Sequence, residues 1–485
     1  DLIARADHPQ VGLALNSFQT LLGDGGVETL AGLPADRVFT VQLSDAPDLD
    51  MGPRLKWLHY RCFPGLGDLD IAAFVGAVAA TGYAGPWSVE VFNDKLREAA
   101  ARSVATSCYR AVTSLLDQAG RAGGGTGLST DAMPDRVGVD GVAFVEFTAG
   151  TQDVEPLSAV LGQMGFQRSA KHINKRVEIW KHGAARVVLN TETTGYAHAA
   201  YLTHGTSVCD IGLSVADAEA AMRRAAALGA PVFRQAVGPR ELEIPAIRGV
   251  GGSVLHFVDQ GPELSNVWTI EFNAEQERPE RRTSGILGFD HLAQPMSFEE
   301  MESWALFYLA TFRVDKTPIV DVADPAGLIH SQAIEGSDNG TGGGFRLNLN
   351  GVDTHRTNTG AFLAEKFGAP VQHIAFACAD IFAFSSRLAD AGFPRLEIAA
   401  NYYDDLAATF GLDAALVDSL RAANMLYDRD GDGEYFQIYS QPLFGGFFFE
   451  VVERRGGYAG YGARNAAVRL AALKRYEVPP EWQCL

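Results

Sequence analysis

The chain has 485 residues, 47% of them hydrophobic, which is too long for one core and predicts two to four domains. A formal net charge of -19 argues against a nucleic-acid partner, because phosphate binding needs clustered Lys and Arg, but a few local cations or a metal still allow a small anionic substrate. No run of about 18 apolar residues predicts a membrane span, the opening Asp1-Leu-Ile-Ala-Arg5 lacks the layout of a signal peptide, and five scattered cysteines fit neither a disulfide framework nor a zinc ribbon. These features predict a cytoplasmic protein with reduced cysteines, no membrane partner, and nothing against a homo-oligomer.

From the start, short apolar runs at Val11–Leu15, Arg37–Leu43 and Pro86–Phe92 alternate with helical patterns, which predicts β/α units with parallel strands. Apolar residues at helical spacing predict a closing helix over Asn93–Leu116. The glycine-dense stretch Gly120–Ser129 then reads as a linker. The expected boundaries are a first domain over 1–118 and a linker over 119–137.

Beyond residue 138 the pattern becomes strand-rich, with strands over Val142–Phe147, Arg176–Leu189 and Ser253–Val258 and a helix over Ala216–Leu228. A charged linker at 276–284 separates this block, 138–275, from a second one, 285–485. The second block shows strands near Phe289, Phe345, His373 and Phe447, a helix over Ile381–Ala391 and a terminal helix. The shared βαβββ rhythm suggests duplicated modules, each building part of one sheet.

Three runs carry the strongest chemical signal: Gly288-Phe-Asp-His291, Val371-Gln-His373-Ile-Ala-Phe376 and Phe447-Phe-Phe-Glu450. Each candidate ligand sits in an apolar strand, and the separations are similar (373 − 291 = 82; 450 − 373 = 77). Two imidazoles and a carboxylate on one face of an octahedral ion form the facial triad of non-haem Fe(II) oxygenases. That arrangement leaves positions for a chelating 2-oxo acid and for O2. Two other motifs mislead. Asp428–Glu434 imitates a calcium loop, but Tyr439 stands where a bidentate Glu is required, so a hairpin turn is expected. Gly342–Gly344 lacks the strand and helix that flank a phosphate loop.

With those three motifs in order, residues 138 to about 475 resemble 4-hydroxyphenylpyruvate dioxygenase, a member of the vicinal-oxygen-chelate superfamily. Further landmarks agree: Asn401-Tyr-Tyr403, Tyr435-Phe-Gln437 and Gly460-Tyr-Gly-Ala-Arg-Asn465. The resemblance implies a divalent metal, Fe(II) first, on His291, His373 and Glu450, with Ser331, Asn350 and Gln437 lining the substrate pocket. Two positions depart from the family pattern: Asn358 replaces a glutamine, and Ala466 replaces an aromatic residue that clamps the substrate ring.

The runs Leu15–Gln19, Val41–Asp45, Arg61–Gly67 and Ser88–Asp94 resemble strands five to eight of the xylose-isomerase-like barrel of bacterial 3-dehydroshikimate dehydratases. Some of those enzymes are fused to such a dioxygenase-like domain. The resemblance implies a second metal site with Gln42 and Glu90 as ligands, Asn16 in place of an aspartate, Gln19 in place of a histidine, and Arg61 in a catalytic position. Mg, Mn or Co are the further ions expected in either site. Because a full eight-stranded barrel takes about 200 residues or more, a fourth ligand is expected from strands outside this chain.

The expected fold class is therefore α/β plus α+β: a partial TIM-type barrel followed by tandem vicinal-oxygen-chelate modules. Three functions stay open. One is a metal-dependent enzyme acting on an aromatic or cyclic carboxylic acid with dioxygenase-like chemistry. Another is a 3-dehydroshikimate dehydratase, a lyase forming protocatechuate. The third is a metal-holding binding or assembly module.

Overall fold

The structure, a computed structural model, describes residues 2–97, 99–122, 132–275, 285–336 and 344–476. Internal packing divides the chain into two units. One comprises Asp1–Arg136 with residues 223–230 and 299–312, and the other comprises the remainder.

In the first unit, β1 (Leu13–Asn16), β2 (Val38–Leu43) and β3 (Trp87–Val89) form a parallel sheet in that order. Val41 and Leu43 are fully buried and pack with Phe74, Val75 and Val78 of the helix Ile71–Ala80, whose N-terminus Asp70 caps at the Ala73 amide. Only three of the four expected strands form: Arg61–Gly67 is irregular, pairing only singly at Cys62 with Asp45. The reason is local. The Asp45 carboxylate takes the amides of Gly65, Gly67 and Leu69 at 3.0, 3.0 and 3.1 Å, so those donors do not enter a ladder. The closing helix spans Ala101–Arg121, later than expected, and passes through Gly120. Its last turn is tied by Asp117, which holds Arg121 at 2.9 Å and Arg224 at 2.8 Å. Residues 123–131 of the expected first linker, and all of the second, 276–284, lie outside the described residues.

The second unit holds the strands of both modules, and each module builds its own sheet rather than part of one. Among the described residues the first sheet has eight strands: β4 (Val139–Thr148), β5 (Gln167–His172), β6 (Val177–His182), β7 (Ala185–Asn190), β8 (Ser207–Val215), β9 (Ala246–Arg248), β10 (Val254–Val258) and β11 (Phe272–Ala274), in the order β11-β5-β6-β7-β4-β8-β10-β9. The second has nine: β12 (Ile286–Ser297), β13 (Val314–Lys316), β14 (Val320–Asp324), β15 (Gly327–Gly336), β16 (Arg346–Val352), β17 (His373–Cys378), β18 (Leu426–Asp430), β19 (Gly433–Tyr439) and β20 (Phe448–Arg455). Its central order is β16-β12-β17-β20, matching β7-β4-β8-β10 of the first. The central strands of each sheet find their partners within their own module, which keeps the two sheets separate. Phe147 packs edge-on against Phe447 at 5.2 Å, and Phe166 lies 5.1 Å from Phe376, which builds an aromatic core between the modules. The Asp428–Glu434 motif is the expected hairpin, turning at Gly431 with φ of 57° between β18 and β19.

Candidate metal centre

His291 on β12, His373 on β17 and Glu450 on β20 meet at the centre of the second sheet, all at most 3% exposed. Register explains the meeting. His291 sits opposite Ala375, which is also the partner of Glu450, and His373 lies two residues earlier on the same strand and hence on the same face. His291 Nε2 lies 3.2 Å from His373 Nε2 and 3.4 Å from Glu450 Oε2, and His373 Nε2 lies 3.5 Å from the same oxygen. With bonds of about 2.1 Å, a face of an octahedral ion has edges of about 3.0 Å and that of a tetrahedral ion about 3.4 Å. The triangle therefore matches three ligands on one face of an ion, with the remaining positions free.

The surroundings prepare each ligand. Asp290 Oδ1 lies 2.7 Å from His291 Nδ1 and accepts a hydrogen bond from it, which leaves the Nε2 lone pair facing the centre. Asp290 is in turn gripped by Arg454, through Nε at 2.8 Å and Nη2 at 2.9 Å. Burial alone would raise the Asp290 carboxyl, but the Arg454 guanidinium outweighs it and holds it well below the usual carboxylate range. For His291, burial disfavours the charged form, and Glu450 with Asp290 more than offsets this. His373, buried and facing His291 and Arg469, is held well below the usual histidine range, as a neutral ligand requires. Its Nδ1 has no hydrogen-bond partner among the described residues, and its ring stacks on Phe448 at 4.8 Å. Gln437 Nε2 donates to Glu450 Oε1 at 2.9 Å, which leaves Oε2 as the donor atom. Among the described residues this is the one cluster of His, Cys, Asp and Glu whose donor atoms converge closely enough for an ion. The residues fit a divalent metal.

Sequence reasoning missed Asp290 because neighbours on a regular strand face opposite sides of a sheet. Here the β12 register slips between Phe289 and His291, and that bulge brings consecutive side chains into contact. Asp290→Asn would keep the shape and lose the charge. The expected result is a 10- to 100-fold weaker metal affinity, read by competition with a chelating dye.

Beside the triad lies a small cavity of about 40 Å3. Ser331, Asn350, Thr359, Ala466 and Arg469 line it with the ligands. Ser331 Oγ donates to Asn350 Oδ1 at 2.8 Å, so both expected pocket residues are in place. Gln437 is not part of the wall and acts behind Glu450, and Thr359 rather than its neighbour Asn358 faces the space. Arg469 was not foreseen: it comes from the terminal helix Ala466–Leu473, lies over the Tyr439 and Phe448 rings, and its Nε has no partner among the described residues.

In the barrel unit, Asn16, Gln42 and Glu90 converge at the C-terminal ends of β1 to β3. Asn16 Nδ2 donates to Glu90 Oε2 at 3.0 Å and Gln42 Nε2 to Glu90 Oε1 at 3.3 Å. Arg61, fully buried among Phe18, Trp57 and Phe92, pairs with Glu90 at 2.8 Å. The Gln19 backbone N–H donates to Asn16 Oδ1 at 3.2 Å. This set, two neutral amides and a carboxylate already neutralised by a guanidinium, fits a hard divalent ion poorly.

The barrel segment and the paired modules define a two-part protein: a xylose-isomerase-like TIM barrel joined to a vicinal-oxygen-chelate domain of the dioxygenase type. Residues 1–110 match the family model described as xylose isomerase-like TIM barrel, and residues 134–273 match that of hydroxyphenylpyruvate dioxygenase, N-terminal. A protein of Pseudomonas putida named 3-dehydroshikimate dehydratase is 39% identical over 98% of this chain and 75% of its own length. A 4-hydroxyphenylpyruvate dioxygenase of Pseudomonas aeruginosa is 30% identical over 70% of this chain and 95% of its own. A solved xylose isomerase-like TIM barrel/4-hydroxyphenylpyruvate dioxygenase fusion protein superposes with a TM-score of 0.85 at 38% identity, covering 98% of this chain and 76% of that one. The chain belongs to this family of fusion proteins, in which 3-dehydroshikimate dehydratase homologues carry a C-terminal dioxygenase-like domain. Among the described residues no helix is long and apolar enough to cross a membrane.

Proposed function

We propose that this protein is a divalent-metal enzyme of aromatic and cyclic carboxylic acids whose second module, residues 285–485, holds Fe(II) on His291, His373 and Glu450 and takes a 2-oxo acid with O2. The triangle of donor atoms, with edges of 3.2 to 3.5 Å and the cavity beside it, carries this reading. Fe(II) in such a site supplies Lewis acidity, adjacent open positions and one-electron chemistry. The chain supplies the rest. Asp290 keeps the His291 proton on Nδ1, and Gln437 occupies one Glu450 oxygen. Ser331 orients the Asn350 amide so that its NH2 group is the one left to donate to a ligand. Arg469 offers an unpaired N–H to the carboxylate of an incoming 2-oxo acid.

That last role has a direct test. A hydrogen bond to a charged partner is worth about 1.5–3 kcal/mol, so Arg469→Leu should weaken pyruvate binding to the iron-loaded protein about 10- to 100-fold while leaving metal content unchanged. Anaerobic titration followed by absorbance measures it. Equal pyruvate affinity in the variant would remove Arg469 from substrate binding.

A second reading is favoured by the similarity, along 98% of this chain, to proteins named 3-dehydroshikimate dehydratase, at 39 and 40% identity. In it the barrel removes water from 3-dehydroshikimate to form protocatechuate, with Glu90, Gln42 and Arg61 in the site. The 485-residue chain should do this slowly or not at all, because Asn16 brings no charge and Glu90 is already paired with Arg61. Robust protocatechuate formation that disappears in Glu90→Ala would make the barrel the working site.

A further inference from the structure

The two modules are related residue by residue, and the relation exposes a second site. On β12, His291 follows a register slip and pairs with Ala375 of β17; on β4, Phe144 follows the same slip and pairs with Gly212 of β8. His373 lies two residues before Ala375, and Asp210 two before Gly212. Glu450 pairs with Ala375 and His256 with Gly212. The first module thus presents Phe144, Asp210 and His256 where the second presents His291, His373 and Glu450.

This substitution changes what the position can hold. Phe144 supplies no ligand, and Asp210 Oδ2 already contacts His256 Nδ1 at 2.7 Å. In place of the small cavity of the second module there is one of about 560 Å3, within the range of small-molecule sites. Its aromatic wall includes Phe144, Tyr196, Phe233, Trp268 and Phe272, with Phe144 edge-on to Trp268 at 5.4 Å. Facing that wall, Asp210, 6% exposed, has an Oδ1 with no hydrogen-bond partner among the described residues. Glu241, whose side chain is 3% exposed, leaves Oε1 in the same condition while Oε2 takes Lys175 at 2.8 Å. An unpaired buried acceptor costs about 1–3 kcal/mol, a cost that a ligand donor removes.

Charge then selects the ligand. Six carboxylates line the cavity against one lysine, one arginine and two histidines, so an anion is disfavoured and hydrogen donors are favoured. Glu146, on the same strand two residues from Phe144, is pushed up to about 7 by burial and by Asp210, so near neutrality it is partly protonated and both donates and accepts. We infer that the cavity of the first module is a binding site for an uncharged hydroxylated six-membered ring, whose hydroxyls donate to Asp210 and Glu241 while its faces lie against the aromatic wall. The site does not depend on the metal centre of the second module.

Resorcinol is a suitable probe, because its two hydroxyls are too far apart to chelate one ion. Isothermal titration into the metal-free full chain should show saturable binding of one equivalent. 1,3-Dimethoxybenzene, with no donors, should bind at least tenfold more weakly. Asp210→Asn and Glu241→Gln should each weaken resorcinol at least tenfold, and His373→Ala should leave it unchanged. No saturable binding by the unaltered chain, equal binding of the dimethoxy compound, or undiminished binding by both carboxamide variants would overturn the inference. So would a stoichiometric divalent ion that Asp210→Asn removes and His373→Ala retains, which would make the cavity a metal site. The dimethoxybenzene comparison needs no variant, so a failure to fold leaves the test intact.

Discussion

His291→Ala and His373→Ala should each abolish stoichiometric metal binding by the second module. Structural zinc sites gain about 10–16 kcal/mol from four ligands, roughly 3 kcal/mol per ligand, so one loss costs more than about a hundredfold in affinity. The loss is compounded because Glu450 and the remaining imidazole stay buried and facing each other, 3.4 or 3.5 Å apart, without the cation between them. Elemental analysis after gel filtration, with circular dichroism to confirm folding, measures the effect. Unchanged metal content in both variants would show that the triad is not the site. The effect should exceed that of Asp290→Asn, since Asp290 orients a ligand and is not one.

The triad was legible because its residues are rare inside apolar strands: three polar groups at near-equal spacing stand out against Phe, Val and Ile. What surrounds it was not. Asp290 reaches His291 only because a bulge breaks the alternation of β12, and Arg454 reaches Asp290 across 164 positions of chain. In the barrel unit, the family resemblance implied a strand at Arg61–Gly67, but the Asp45 carboxylate captured the amides that a strand would have used. The duplication was visible as rhythm. Its most consequential detail, the equivalence of Phe144, Asp210 and His256 to the metal ligands, is visible only through strand register, because no residue type is shared at those positions.

The iron-loaded second module should bind short 2-oxo acids yet convert 4-hydroxyphenylpyruvate to homogentisate at least about a hundredfold less efficiently than a dioxygenase built for that substrate. Chelation of the oxo-acid end needs only the open face of the triad and a cation such as Arg469, and both are present. The ring end is different. Ala466 forms the wall where the family carries an aromatic residue, and a stacked ring is worth about 0.5–1.5 kcal/mol beyond its burial. The open space beside the triad is only about 40 Å3, whereas an apolar cavity that takes benzene measures about 150 Å3. To admit a phenyl ring, the helix Ala466–Leu473 with Arg469 would have to move, breaking the packing of Leu470 against Val322 and Ile329. Two such losses of about 1.4 kcal/mol each give the hundredfold in kcat/KM. The test is to load Fe(II) without oxygen, titrate pyruvate and 4-hydroxyphenylpyruvate by charge-transfer absorbance, then admit O2 and identify products. Efficient homogentisate formation would overturn the specificity argument and establish the oxygenase. If neither acid perturbed the iron spectrum, the proposed 2-oxo acid chemistry would fall, leaving a module that holds a metal without using it.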